Sequence, residues 1–170
     1  MAEQERLPEG ALRVGTWLHA RGHAHAPVLL DAAARTAQQA ADALGVALGQ
    51  IAKSIIFRRK GDDAAVLVIT SGDRRVDERK LGALVCSGGS RLGRADAEFV
   101  KQRTGFSIGG VAPVAHAMPC VTLIDRELFR FADIWAAAGH PHAVFRLAPQ
   151  DLVLLTGAPV ADVVEALVTP

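Results

Sequence analysis

The sequence predicts an α+β domain built on a mixed, mostly antiparallel sheet. Two β-rich runs, residues 50–59 and 64–70, are joined by the short polar segment 60–63, which is a strong signal for an antiparallel hairpin. The other strand-like runs alternate irregularly with short helical patterns and show no steady βαβ period. The chain has 170 residues, of which 50% are hydrophobic and 22% charged, so a single domain over residues 1–170 is expected.

Two helices are predicted in the first third of the chain. Apolar residues recur at helical spacing over residues 10–21, and Gly22 ends the pattern. Thr36 is a typical N-cap for a second helix over residues 37–44, which Gly45 ends. The small residues on one face of this second helix would let it lie close against a sheet.

Metal ligands and disulfides are poorly supported by the sequence. His23 and His25, before a short predicted strand at residues 28–30, provide two ligands, whereas structural zinc takes four and catalytic zinc usually three. A solvated loop is therefore the preferred interpretation of this pair. Cys86 and Cys120 are too few for a disulfide framework and are expected to be buried free thiols.

The centre of the chain predicts two helices separated by a flexible link. The first helix, over residues 76–85, is expected to bury Leu81, Leu84 and Val85 and to keep the charged residues 77–80 in solvent. The link, residues 87–93, has the glycines of a phosphate-binding loop but lacks the Gly-Lys-Ser/Thr ending that makes such a loop specific. The second helix covers residues 95–103.

Strands, turns and one helix are predicted for the last third. They are a strand over residues 119–125, a helical turn over 126–129, a hairpin-like turn near 139–142, a helix over 150–156 that Pro149 begins, and a strand over 160–164.

Charge and hydropathy exclude several classes of function. The formal net charge of +1 removes the electrostatic attraction that dominates DNA binding, although it allows a small basic patch for RNA. No apolar run approaches the roughly 18 residues of a membrane helix, and the N-terminus lacks the pattern of a signal peptide. A soluble, cytoplasmic protein without a membrane partner is expected.

The segment from Thr104 to His116 is the strongest candidate for chemistry. Gly109 and Gly110 have no Cβ to block a ligand, and Pro113 fixes the backbone after them, so backbone N–H groups can point at an oxygen atom. A tight turn between two strands is the alternative interpretation. Lys53, at the entry to the first hairpin strand, is either a solvated charge or a side chain directed across the sheet toward this loop.

Several motifs occur together in an order that resembles one known family. The sequence resembles the YbaK/prolyl-tRNA synthetase-associated domain at Arg35–Ala37, at Ala52–Ile55, at Thr104–Gly105, at Gly109–Pro113, and at Ala138–Gly139 before a strand that leads into Leu147–Leu152. The combination of the lysine with the GxxxP loop is the most specific part of the resemblance.

The resemblance implies a fold, a reaction and partners. The fold is a barrel-like, mixed and mostly antiparallel sheet surrounded by short helices. The reaction is deacylation in trans of mischarged aminoacyl-tRNA that carries a small amino acid, on tRNA-Pro or a related tRNA, without a metal or another cofactor. Editing is needed because a synthetase pocket rejects near-isosteric amino acids by only about 1–3 kcal/mol. A synthetase or the elongation machinery is a further candidate partner.

The resemblance also implies roles for individual residues. Lys53 would hold the substrate near its ester or terminal phosphate, and Gly109 and Gly110 would stabilise the oxyanion through their N–H groups. No side-chain base is implied, so the tRNA ribose hydroxyl or the substrate amine would activate water. The candidate substrate-binding residues are Thr36, Ser54, Ile108, Val111, Pro113, His116, Gly139 and His140.

Two departures from the family pattern bear on specificity. Ala137 stands where some members have a serine, and Ala138 replaces one of the glycines that follow it. The chain also contains no tyrosine, whereas those members have one at the pocket wall. A cysteine-specific activity is therefore not expected, and a non-catalytic module that binds a nucleotide, a tRNA end or a protein remains the alternative function.

Overall fold

The computed structural model describes residues 6–31 and 34–167. Five α-helices and two short 3₁₀ helices lie in these ranges. The α-helices are α1 (Glu9–Ala20), α2 (Ala37–Leu44), α3 (Glu78–Val85), α4 (Ala97–Thr104) and α5 (Pro149–Thr156), and the 3₁₀ helices are Leu48–Gln50 and Arg126–Arg130. None of the described helices is long and apolar enough to span a membrane.

Eight strands form one sheet. They are β1 (Val28–Leu29), β2 (Ile51–Lys60), β3 (Ala64–Ser71), β4 (Arg91–Arg94), β5 (Val121–Asp125), β6 (Ile134–His140), β7 (Ala143–Leu147) and β8 (Val160–Ala161). Their order is β1-β7-β6-β2-β3-β5-β8, and β4 pairs with β2 beside this path. Four of the seven pairings are antiparallel and three are parallel, which confirms the mixed, mostly antiparallel sheet.

The predicted hairpin is the centre of the sheet. β2 and β3 pair from Ala52 opposite Ser71 to Arg59 opposite Ala64. β3 is buried on both faces: Leu67 and Ile69 belong to the larger hydrophobic cluster, and the alternate residues Val66 and Val68 belong to a smaller cluster on the opposite face. This period of two shows that both faces of β3 are covered.

Local capping signals set the ends of α2 as the sequence predicted. The Thr36 side chain accepts a hydrogen bond from the Gln39 N–H, and the Gln39 side chain accepts from the Thr36 N–H, which is a capping box. Gly45 ends the helix with a φ of 69°, a backbone conformation that costs glycine little. α2 is thereby fixed against the N-terminal end of β2.

Two expectations for the centre of the chain are wrong, and a third holds for part of its residues. The segment predicted as a flexible link contains β4, whose residues Arg91–Arg94 are held by pairing with the far end of β2. Leu81 and Val85 pack in the smaller cluster as predicted, but Leu84 is 56% exposed rather than buried. Of the charged residues predicted to face solvent, Glu78 and Arg79 are exposed, whereas Asp77 caps α3 by accepting two N–H groups and Lys80 pairs with Asp162 at 3.2 Å.

The thiols also differ from expectation. Cys86 and Cys120 are free cysteines, as predicted, but each is half-buried rather than fully enclosed. Burial raises the pKa of the Cys120 thiol, against a smaller opposing effect of the Arg103 charge. This thiol is therefore held in its protonated, weakly nucleophilic form.

Candidate active site

A gap in strand pairing on one edge of β2 provides the candidate site. β3 occupies the other edge along nearly the whole strand. On the gapped edge, Ile51 and Ala52 pair with the parallel strand β6, whereas residues 57–60 pair with the antiparallel strand β4. Residues 53–56 therefore have no strand partner on that edge among the described residues. Because backbone groups of alternate residues point to the same edge, this gap exposes N–H and C=O groups.

A cavity of about 290 Å³ opens beside this gap. It is lined by Ala34, Arg35, Thr36, Ala37, Ala40, Ile51, Ala52, Lys53, Ser54, Ile55, Gly109, Val111, Trp135, Ala137, Pro141 and Val144. Two of these side chains are cationic, and none of the described residues in the lining is Asp, Glu, His or Cys. The cavity therefore favours a ligand that carries negative charge next to a small apolar group.

Lys53 is half-buried in the wall of this cavity. Its ammonium group donates a hydrogen bond to the Arg74 carbonyl oxygen at 3.1 Å, so the side chain is held toward the turn that follows β3. Burial lowers the pKa of Lys53, and the negative charge of Asp73 opposes part of that effect. A desolvated ammonium group with one neutral partner retains two N–H donors for a ligand.

Asp73 is itself held by two arginines. Its carboxylate pairs with Arg130 at 2.9 Å and with Arg74 at 3.3 Å. Burial raises the pKa of Asp73, but the hydrogen bond from Arg130 and the two positive charges outweigh it, and the net shift is downward. The carboxylate therefore stays ionised near Lys53 and keeps the turn after β3 in a fixed arrangement.

The glycine pair forms a tight turn on the other side of the cavity. Gly110 donates its N–H to the Ser107 carbonyl oxygen at 3.0 Å, and Gly109 has a φ of 92°. These are the features of a type II turn, which requires a residue of positive φ at its third position. The Gly110 N–H is thus engaged within the turn, whereas the Gly109 N–H has no partner among the described residues.

Close packing explains why Gly110 has no side chain. A Cβ atom on Gly110 would lie 2.8 Å from the Cα of His140, the last residue of β6 before the turn to β7. The next residue, Pro141, lines the cavity and is the nearest neighbour of Gly109. The glycine turn and the β6–β7 turn therefore form one wall.

Five of the residues singled out from the sequence line the cavity together: Lys53, Gly109, Thr36, Ser54 and Val111. Thr36 contributes while its hydroxyl is engaged in capping α2. The Ser54 hydroxyl is buried and has no hydrogen-bond partner among the described residues. Unpartnered buried hydroxyl groups are uncommon, and this one is available to a ligand.

The other six residues lie outside the lining of this cavity. Ile108 is 57% exposed on the turn. Gly110 packs on His140, whose Nδ1 accepts a hydrogen bond from the His142 N–H at 3.1 Å. Gly139 packs against the start of α1, and Pro113 and His116 line a second cavity behind the loop. The structure therefore does not bring these six residues into the lining of the candidate site.

Sequence reasoning missed Trp135 and Pro141 as residues of the site and named Ala137 only as a departure from the family pattern. They enter the cavity because β6 joins β2 in parallel, with Ile51 opposite Trp135. No local signal in the sequence predicts a contact across 84 positions.

The described residues contain no group of three or more His, Cys, Asp or Glu side chains that could hold a metal ion. His23 and His25 are therefore not joined by a third such ligand among them.

Comparison with known proteins identifies the family. Residues 31–155 match the family model described as the aminoacyl-tRNA editing domain. An uncharacterized protein of Bacillus subtilis, YwhH, is 32% identical over 72% of this chain and 75% of its own length. A candidate Cys-tRNA(Pro)/Cys-tRNA(Cys) deacylase of Enterococcus faecalis, EbsC, is 25% identical over 75% of this chain and 76% of its own.

A solved structure supports the same assignment. The crystal structure of a candidate trans-editing enzyme for prolyl-tRNA synthetase superposes with a TM-score of 0.87 at 42% identity, over 95% of this chain and all of the other. Several bacterial proline–tRNA ligases also match, and the chain spans only 13–20% of their length. By the extent of the family match and by the shared fold, this chain belongs to the aminoacyl-tRNA editing domain family.

Proposed function

We propose that this protein is a trans-editing hydrolase that deacylates mischarged aminoacyl-tRNA. The proposal rests on one observation: Lys53 and Gly109 line the same small cavity. The described lining of this cavity has two cationic side chains and no carboxylate. An aminoacylated tRNA end combines a negatively charged phosphate with a neutral ester that bears a small side chain. Membership of the editing domain family supports the same reaction.

The reaction is hydrolysis of the ester at the tRNA terminus. A water oxygen attacks the carbonyl carbon, and a tetrahedral oxyanion forms. Collapse of this intermediate breaks the bond to the ribose oxygen, which takes up a proton, so that the products are a free amino acid and a tRNA with a free terminal hydroxyl. Stabilisation of the oxyanion by one donor contributes about 3 kcal/mol, which is roughly a hundredfold in rate.

Three residues have distinct roles in this proposal. The Gly109 N–H is the donor to the oxyanion, because it has no other partner among the described residues. Gly110 keeps the turn closed through its bond to Ser107 and its fit against His140. The Lys53 ammonium binds the terminal phosphate or the ester oxygen with the N–H donors that Arg74 leaves free.

The lining also bears on water activation and on specificity. Because no Asp, Glu or His lies among the described lining residues, a group of the substrate takes the water proton: either the amino group accepts it, or the free ribose hydroxyl accepts it while passing its own proton to the leaving ribose oxygen. Much of the wall consists of alanine side chains, including Ala37, Ala40 and Ala137, in a cavity of about 290 Å³. This space suits a small amino acid. The proposed carrier of that amino acid is tRNA-Pro or a related tRNA.

A deacylation screen tests the proposal. The purified protein is incubated with tRNAs charged with Ala, Ser, Cys, Thr and Pro, and release of the amino acid is followed over time. Lys53→Ala should reduce release by about a hundredfold, since it removes a charge-assisted contact that strengthens in the transition state. Lys60→Ala, at the exposed far end of the same strand, is the matched control and should behave like the wild type.

Two outcomes would contradict the proposal. If every ester stays intact at the rate of the uncatalysed reaction, the protein is not a deacylase. If the protein binds charged tRNA without turnover, and Lys53→Ala weakens only that binding, the cavity belongs to a non-catalytic binding module.

A further inference from the structure

A second cavity lies behind the glycine loop and has no role in the proposed deacylation. Its volume is about 470 Å³. One wall is the face of α1 that carries Arg13 and Trp17, one helical turn apart, and the other is the segment 113–120 that continues from the candidate site. The two cavities therefore share one loop, with Gly109 and Val111 on one side and Pro113 to Ala117 on the other.

The charge of this cavity is positive. The Arg13 guanidinium makes no ion pair with any described residue, and it lies 5.1 Å from the centre of the Phe106 ring. No Asp or Glu is present among the described residues of the lining. An exposed guanidinium in a concave site without a carboxylate partner is suited to a phosphate or carboxylate group of a ligand.

His116 provides a hydrogen-bond acceptor in the same cavity. Its Nε2 lies 2.7 Å from the Ala112 carbonyl oxygen, and because a carbonyl only accepts, Nε2 carries the proton. Burial lowers the pKa of His116; the bond to Ala112 opposes this effect and the Arg13 charge adds to it. The imidazole is therefore neutral near pH 7, and Nδ1 is an acceptor without a partner among the described residues.

Flat apolar surface completes the lining. The Trp17 indole is half-buried, and Met118 and Leu155 lie in the same cavity. The Arg21 guanidinium stacks on the Trp17 ring at 3.5 Å, which holds the indole in place. Aromatic rings of this kind stack on nucleobases without depending strongly on the base.

The backbone of the shared loop is strained where it meets this cavity. Ala115 has a φ of 63°, a left-handed conformation that a residue with a Cβ adopts at a cost of about 1–2 kcal/mol. Residues held in this way cluster at binding and catalytic sites. The strain at Ala115 is a feature of the backbone and does not depend on the charged side chains of the cavity.

We propose that the second cavity binds a nucleoside monophosphate, either as a free nucleotide or as one nucleotide of an RNA strand. The phosphate pairs with Arg13, the base lies against Trp17, and an exocyclic amino group of the base donates to Nδ1 of His116. Adenine and cytosine have such an amino group in a position to donate, whereas uracil has none, so AMP and CMP bind more tightly than UMP. This inference goes beyond the deacylation and does not depend on it.

The two tryptophans allow each cavity to be observed separately. The chain contains only Trp17 and Trp135, and each lies in a different cavity. In a Trp135→Phe variant, fluorescence quenching reports on the second cavity alone; in a Trp17→Phe variant, it reports on the candidate active site alone. The probes are AMP, CMP, UMP, inorganic phosphate and the trinucleotide CpCpA, and circular dichroism checks the fold of each variant.

The expected result is saturable quenching of Trp17 by AMP and CMP. In the Trp135→Phe background, Arg13→Ala should weaken this binding about tenfold, and Arg79→Ala, on α3, should leave it unchanged. Binding of CpCpA with the same dependence on Arg13 would assign the site to an RNA strand, and its absence would assign it to a free nucleotide.

Other results would overturn the inference. They are the absence of Trp17 quenching up to about 10 mM nucleotide, quenching that Arg13→Ala does not alter, or quenching by phosphate alone that equals quenching by AMP. The deacylation screen uses a different readout, so failure of one proposal leaves the other standing.

Discussion

Replacement of Gly109 or of Gly110 by alanine should impair the protein, and the physical reason should differ between the two positions. In Gly110→Ala, the new Cβ would lie 2.8–2.9 Å from the N, Cα and C atoms of His140, which are backbone atoms and cannot rotate away. In Gly109→Ala, the nearest atom is the Pro141 Cγ at 3.9 Å, so space is available. The strain there comes from the φ of 92° instead.

The magnitudes follow from these two situations. Forcing an extra methyl group into closely packed backbone costs about 1–3 kcal/mol of unfolding free energy. A left-handed conformation costs an alanine about 1–2 kcal/mol relative to glycine. For a chain of this size each kcal/mol lowers the melting temperature by about 2–4 °C. Both variants should therefore fold, with Gly110→Ala at least as destabilised as Gly109→Ala.

Thermal unfolding and deacylation should be measured on the same preparations. Gly157→Ala is the matched control, because Gly157 also has a positive φ, of 67°, and no neighbour within 4 Å of the new Cβ. It should lose about 1 kcal/mol of stability and retain full activity. Gly110→Ala should lose activity as well, since relief of the clash displaces the turn that carries Pro141.

Two results would refute this reasoning. If Gly110→Ala unfolds within about 0.5 kcal/mol of the wild type, the backbone of His140 is not in contact with Gly110. If Gly109→Ala and Gly157→Ala have equal stability and equal, undiminished activity, the turn at Gly109 has no role in the reaction.

Three further predictions concern buried polar groups. The pKa of His116 is lowered chiefly by burial, so the neutral form stabilises the fold above pH about 6.5, and this contribution is lost as the pH falls through the folded-state pKa. The unfolding free energy, measured with urea at about pH 7.5 and 5.5, should therefore differ less between the two pH values in His116→Gln than in the wild type. Thr70→Val should raise the unfolding free energy by about 1 kcal/mol, because its buried hydroxyl has no partner among the described residues; a loss of similar size would contradict this. Asp125→Ala should cost about 2–4 kcal/mol in denaturant titrations, because the buried carboxylate accepts the N–H groups of Glu127 at 2.9 Å and Val163 at 3.0 Å; an effect below about 0.5 kcal/mol would contradict it.

The parts of the fold that the sequence predicted correctly depend on short-range signals. Thr36 and Gly45 mark the ends of α2, and the polar segment 60–63 marks the turn that joins the two strands of the hairpin. β4 escaped prediction because Arg91–Arg94 has little intrinsic tendency to form a strand and is held by its pairing with β2. Leu84 was misplaced because a helix of eight residues has too few turns to define its buried face.

The same distinction applies to the candidate site. Lys53 and Gly109 were found because they belong to a recognisable pattern, and the structure places both in one cavity. Trp135 and Pro141 could not be found, since only the pairing of β6 with β2 brings them near. Pro113 and His116 follow Gly109 closely in the sequence, yet both line the second cavity, because the loop passes between the two cavities. Distance along a loop therefore says little about which side a residue faces.

The change of partners along β2 explains why a site forms at this place in the sheet. A parallel strand and an antiparallel strand occupy the same edge of β2 at its two ends, and residues 53–56 between them have no strand partner on that edge in the part of the chain that the structure describes. Backbone N–H and C=O groups on an open edge require other partners, and a ligand that enters the gap can provide them. Gly109 of the glycine turn and the alanines Ala37 and Ala40 of α2 line the cavity beside this gap. The catalytic capacity proposed for this protein thus comes mainly from backbone groups and one lysine, which is consistent with a described lining that contains no acid, histidine or cysteine.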